Sequence, residues 1–97
     1  MTKIRNSARD EECQIRIPGV CNGDTTTTVL CHLPGGGMGG KSSDIHAAYG
    51  CSSCHDYVDG RVHLSNHPSE KFHRKIWFYE AVIRTQAILL EKGLIKI

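Results

Sequence analysis

Ninety-seven residues allow one domain with a thin core, because a chain this short buries only about 60 to 65% of its unfolded surface. An apolar fraction of 39% makes hydrophobic burial alone a poor source of stability, and no apolar run approaches the roughly 18 residues that cross a bilayer. The net charge of +2 excludes a strongly polycationic binder yet leaves nucleic acid open as a partner.

The opening M-T-K-I-R-N-S-A-R-D-E-E lacks the basic start, apolar stretch and cleavage site of a secretion signal, so a cytoplasmic protein with no membrane segment is expected. Within it Ile4 and Ala8 stand at i and i+4, which predicts a short surface helix between Lys3 and Glu12. E-C-Q-I-R-I-P-G-V-C-N-G alternates apolar and polar residues at Ile15 and Ile17 before Pro18-Gly19. It reads as a short strand folding back so that Cys13 and Cys21 face one point. Thr25 to Leu33 is rich in β-branched residues and is the best strand of the chain, ending at Pro34.

Pro34 to Ser43 has five glycines in the six positions from Gly35 to Gly40, a loop composition. Gly35 to Ser42 also fits the phosphate-loop pattern letter for letter, with Lys41 in the lysine place. The rest of the chain is too short for the parallel sheet, long helix and magnesium-binding acid that make such a loop work, so nucleotide hydrolysis is set aside. Ile45 to Gly50 suits either a strand or a helical turn. Ser52 to Asp59 predicts a short helix capped by Ser52 or Ser53 and stopped by Gly60. From Ser69, a good N-cap, apolar residues recur at Phe72, Ile76, Tyr79, Ile83, Ala87 and Leu90, the pattern of a long helix ending at Gly93. Leu94 to Ile97 suggests an edge strand.

Five cysteines and six histidines without a secretion signal point to metal rather than disulfides. Cys51 and Cys54, two residues apart at a helix start, can reach one tetrahedral ion, and Cys13 and Cys21 across the Pro-Gly turn supply a second pair. Four thiolates of this kind imply a structural zinc; the alternative is that Cys13 or Cys21 is a small buried hydrophobe. Three imidazoles lie outside this set: His32 closes the predicted strand, His55 opens the short helix, and His63 follows Gly60. A compact ββα unit would let them converge.

The order of a strand ending in His, a loop, then C-x-x-C-H opening a helix resembles the HNH endonuclease family. More closely, E-C-Q-I-R-I-P-G-V-C-N-G, V-L-C-H, C-S-S-C-H-D and the late R-T-Q resemble the small YbcO-like nucleases of phages and prophages, over Glu12 to Gln86. The resemblance implies an α+β fold: a single HNH-like ββα-metal domain over residues 1–97 with a long C-terminal helix, stabilised by the zinc. It implies a metal-dependent hydrolase cutting nucleic acid, DNA by expectation, with His32 as general base, His55 as a ligand of the catalytic ion and His63 as a further ligand. The middle Asn of the family pattern is absent, and Asp44 and His46 stand in its neighbourhood as candidates to orient His32. Cys31, just before the base, reads as a buried strand residue. Magnesium or manganese is the hard-ligand expectation for the catalytic ion, while nickel or zinc suits imidazoles better. Phosphate contacts are expected from Lys41, Arg61, Lys71, Arg74 and Lys75. The alternative is a zinc-stabilised nucleic-acid-binding or interaction module without catalysis, and the oligomeric state is left open.

Overall fold

The computed structural model describes residues 3–33, 43–61 and 69–96. The glycine-rich segment with Lys41, together with His63 and His67, lies outside the described residues. Helix α1 covers Lys3–Ser7, strands β1 (Val29–His32) and β2 (Ala47–Gly50) form a two-stranded antiparallel sheet, and helices α2 (Ser52–Val58) and α3 (Glu70–Glu91) follow. No described helix is long and apolar enough to cross a membrane.

Val29 pairs with Gly50, Leu30 with Tyr49, Cys31 with Ala48 and His32 with Ala47. Alternation along a strand therefore puts Cys31 and Ala48 on one face and Leu30, His32, Ala47 and Tyr49 on the other. The first face joins Ile15, Ile17, Phe78, Ala81 and Val82 with the cysteines; the second buries Ala8, Leu30, Tyr49 and Leu89. Both faces of β2 are thus covered, which matches its unbroken burial and its small residues Ala47, Ala48 and Gly50. A Cβ at Gly50 would stand 2.6 Å from Ile15 Cδ1 and 2.9 Å from Cys31 Sγ, so any larger residue would displace these buried side chains.

The free edge of β2 is occupied rather than left open. Tyr49 N–H donates to Thr85 Oγ1 of α3 at 3.1 Å, and the Tyr49 carbonyl accepts from Gln14 N–H at 2.8 Å. A fully buried edge strand must satisfy these groups internally.

Several sequence expectations are corrected. Ile15 and Ile17 are buried, but Arg16 between them has φ +53°, a left-handed conformation that breaks any strand. The Thr25–Leu33 strand is shortened, because Asp24 accepts from Thr26 N–H and winds Thr25–Thr27 into a 3-10 turn first. Helix α2 is capped not by a serine but by Cys51, whose Sγ accepts from Cys54 N–H at 3.4 Å. Ser69 precedes α3 without a side-chain cap bond. Leu94 to Lys96 form no strand; the sheet of the described residues has two strands. The long helix forms as expected; its Phe72 to Leu90 stripe faces outward, and α3 buries Glu70, Phe78, Ala81, Val82, Thr85 and Leu89.

The helix stops agree with expectation. Gly60 (φ +84°) and Gly93 (φ +73°) each follow a C-cap in a Schellman turn. Arg61 N–H reaches Asp56 O after α2, and Leu94 N–H reaches Leu89 O after α3, both at 2.9 Å.

Candidate metal centre and active-site cleft

The sulfurs of Cys13, Cys21, Cys51 and Cys54 lie within 4.8 Å of one another. Among the described residues this is the cluster of three or more His, Cys, Asp or Glu side chains able to hold a metal ion. Two features of the backbone build it. The Pro18-Gly19 turn, closed by Cys21 N–H donating to the Ile17 carbonyl at 2.9 Å, returns Cys21 towards Cys13. The N-terminus of α2 then brings Cys51 and Cys54 onto one helical turn. Asn22 Nδ2 donates to the hydroxyls of Ser52 and Ser53 at 3.2 Å, and Ser52 N–H donates to Thr27 Oγ1 at 3.2 Å, tying the two ligand segments together.

The donor set fits zinc. Arms of about 2.3 Å in a tetrahedron give sulfur–sulfur edges of about 3.8 Å, and Cys21 Sγ and Cys51 Sγ stand 3.9 Å apart. Backbone N–H groups three residues on, from Arg16 and Cys54, donate to Cys13 Sγ and Cys51 Sγ at 3.4 Å, which favours the thiolate form an ion requires. The contact with the Cys54 thiol pulls Cys13 down to about 4 and pushes Cys54 upward, while burial raises Cys21. The fifth cysteine, Cys31, is fully buried in β1, and desolvation raises its thiol.

The histidines meet elsewhere. A cleft of about 470 Å³ is lined by His32 from the end of β1, His55 from α2, Arg5 and Arg9 from α1 and the residues after it, and Thr26 and Thr28. His32 Nε2 meets Asp44 Oδ1 at 2.7 Å, and Arg5 approaches the same oxygen at 3.9 Å. A carboxylate accepts, so in the neutral ring the hydrogen belongs on Nε2 and the lone pair on Nδ1. His55 Nε2 stands 3.3 Å from Asp59 Oδ2, one helical turn on. Thr28 Oγ1 is buried without a hydrogen-bond partner among the described residues.

Of the two candidates to orient His32, Asp44 makes the contact, whereas His46 is exposed. Arg61 pairs with Asp56 at 3.3 Å and Asp59 at 3.8 Å. Arg74 pairs with Glu70 at 3.2 Å and lies 5.2 Å over the Tyr57 ring. With Lys71 and Lys75, Arg74 lines a separate cavity of about 110 Å³ beside Phe78 and Tyr79. The cleft's own cations, Arg5 and Arg9, were missed in the sequence reading; their i, i+4 spacing was the available signal.

A family model described as "Putative nuclease YbcO" matches residues 2–94. "Putative nuclease YbcO" of Escherichia coli (strain K12) and "Putative nuclease ybcO" of Enterobacteria phage 82 are each 42% identical over 99 aligned positions, covering 99% of this chain and of theirs. A solved structure of "a putative bacteriophage protein from Escherichia coli str. K-12 substr. MG1655" superposes with a TM-score of 0.77. It is 41% identical and covers 94% of this chain and 100% of that one.

Proposed function

The chain belongs to the YbcO family, whose members here carry the name of nucleases, and on that premise we propose that it is an HNH-type endonuclease hydrolysing DNA phosphodiesters. The observation that carries this reading is that His32, held by Asp44 at 2.7 Å, lines the same cleft as His55. His32 takes the proton of the attacking water on Nδ1, because Asp44 occupies Nε2 and fixes both tautomer and ring plane. Asp44 thereby fills the orienting place left by the absent family Asn. Arg5 and Arg9 bind phosphate oxygens at the rim of the cleft.

His55 and Asp59 offer two donors for a divalent ion, magnesium, manganese, nickel or zinc, with His63 as the further ligand of the proposal. When bound, such an ion stabilises charge on the phosphate and the departing oxygen. The four-cysteine site would hold a separate structural zinc, and Cys51 and Cys54 would then tie to it the turn of α2 on which His55 stands. With a net charge of only +2, nucleic-acid binding is expected to be weak and strongly salt-dependent.

The test is cleavage of plasmid, single-stranded DNA and RNA with each of the four ions, beside His32→Ala. The variant should keep its zinc and its helicity and lose about 10²- to 10⁴-fold of the cleavage rate. Cleavage unaffected by the substitution overturns the mechanism, and binding without cleavage by the wild-type chain favours the non-catalytic module instead.

A further inference from the structure

Helix α3 carries two apolar faces and its own fold uses one. The buried face, with Phe78, Ala81, Val82 and Leu89, packs on β2 and α2. The outward stripe leaves Phe72 67%, Ile76 55%, Tyr79 53%, Ile83 66% and Leu90 38% exposed. Large aromatic and aliphatic side chains at those exposures present roughly 500 Å² of apolar surface in one line. That is at the upper end of what a monomer leaves uncovered, and over half of the ~800 Å² per partner of a standard interface.

We propose that this stripe is a homodimer interface in which α3 pairs with α3 of a second copy, side by side and parallel. The spacing is heptad-like: Ile76, Ile83 and Leu90 fall at a, and Phe72, Tyr79 and Gln86 at d. Gln86 is the polar member, its amide donating to the Ile45 carbonyl at 2.6 Å.

Charge complementarity selects a second copy and its direction. Lys75 occupies the g position and Glu80 the e position of the next heptad. Both are exposed, and neither has an ion pair among the described residues. In a parallel pair Lys75 of one chain meets Glu80 of the other, twice by symmetry. An antiparallel pair brings g beside g and e beside e, so the Lys75–Glu80 contact is not made. No residue of α3 lines the His32–His55 cleft, so the pairing leaves both clefts open.

The experiment is sedimentation of the zinc-loaded full chain from about 1 to about 500 µM. The mass should rise from one chain to two. Ile83→Glu, at an exposed position, should stay monomeric with unchanged helicity and zinc content. Lys75→Glu and Glu80→Lys should each weaken dimerisation about three- to tenfold, and the double variant should recover it. An equimolar mixture of the two single variants should form the mixed dimer. A wild-type chain that is monomeric at the highest concentration overturns the proposal and leaves the stripe to a different partner. A dimer indifferent to Ile83→Glu overturns the interface, and one indifferent to the charge changes overturns the parallel register. The two charge variants alter only exposed side chains and keep the test valid should Ile83→Glu fail to fold.

Discussion

Asp44 shows how much one short-range contact decides. Its carboxylate holds His32 Nε2 at 2.7 Å, the contact on which the proposed role of His32 as a base depends. Asp44→Asn preserves the shape but loses the charge and the fixed tautomer. Cleavage should fall by about 10²-fold or more with zinc content unchanged, as measured by single-turnover rates and metal analysis. Gly50 is a second decisive position. Gly50→Ala would drive a methyl against Ile15 and Cys31, and urea denaturation should register a loss of about 1–3 kcal/mol. At this scale the sequence was informative wherever residue chemistry is rare: four cysteines and a strand-ending His could be named. Arg5 and Arg9 could not, because a charged residue joins the cleft only through the docking of α1, which rests on Ala8 and Ile4 against the second core cluster.

At the scale of elements, α3 separates periodicity from burial. Its 3.6-residue pattern announced the helix correctly, but the stripe that carried the pattern lies outside, and the core face is made of other residues. The inward face must approach a sheet edge closely and uses Ala81, Val82 and Thr85. Thr85 is polar for a reason: it receives the Tyr49 N–H that no strand takes. Thr85→Val keeps the volume and orphans that donor, so thermal or urea unfolding should show a loss of about 1–3 kcal/mol. The segment around Arg16 shows the converse. Alternation of Ile15 and Ile17 looked like a strand, yet both residues reach the core through a left-handed residue, a backbone choice that pattern alone does not reveal.

For the molecule as a whole, the two small core clusters are joined across the sheet, and the four-sulfur site lies within the larger one. Structural zinc binding is worth roughly 10–16 kcal/mol in small domains, as much as the entire ~5–15 kcal/mol stability of a typical fold. Isolated protein should therefore contain about one zinc per chain. A strong chelator should abolish its helical circular dichroism, and Cys13→Ser should reproduce that loss without chelator. The clamp was readable because paired cysteines at fixed spacing have few other uses in a chain of this kind. The sheet register, the covered edge of β2 and the cleft depend on contacts between distant segments, which spacing does not encode.

The four sulfurs come as two local pairs, Cys13 with Cys21 and Cys51 with Cys54, and about thirty residues separate the pairs. A nascent chain leaving the ribosome has nothing that grips an ion firmly until Cys54 has emerged, by which time more than half of the polypeptide is made. With zinc as the clamp, folding should come late in synthesis, and a fragment ended ahead of Cys51 should be open to proteolysis, which limited digestion of such a fragment would check.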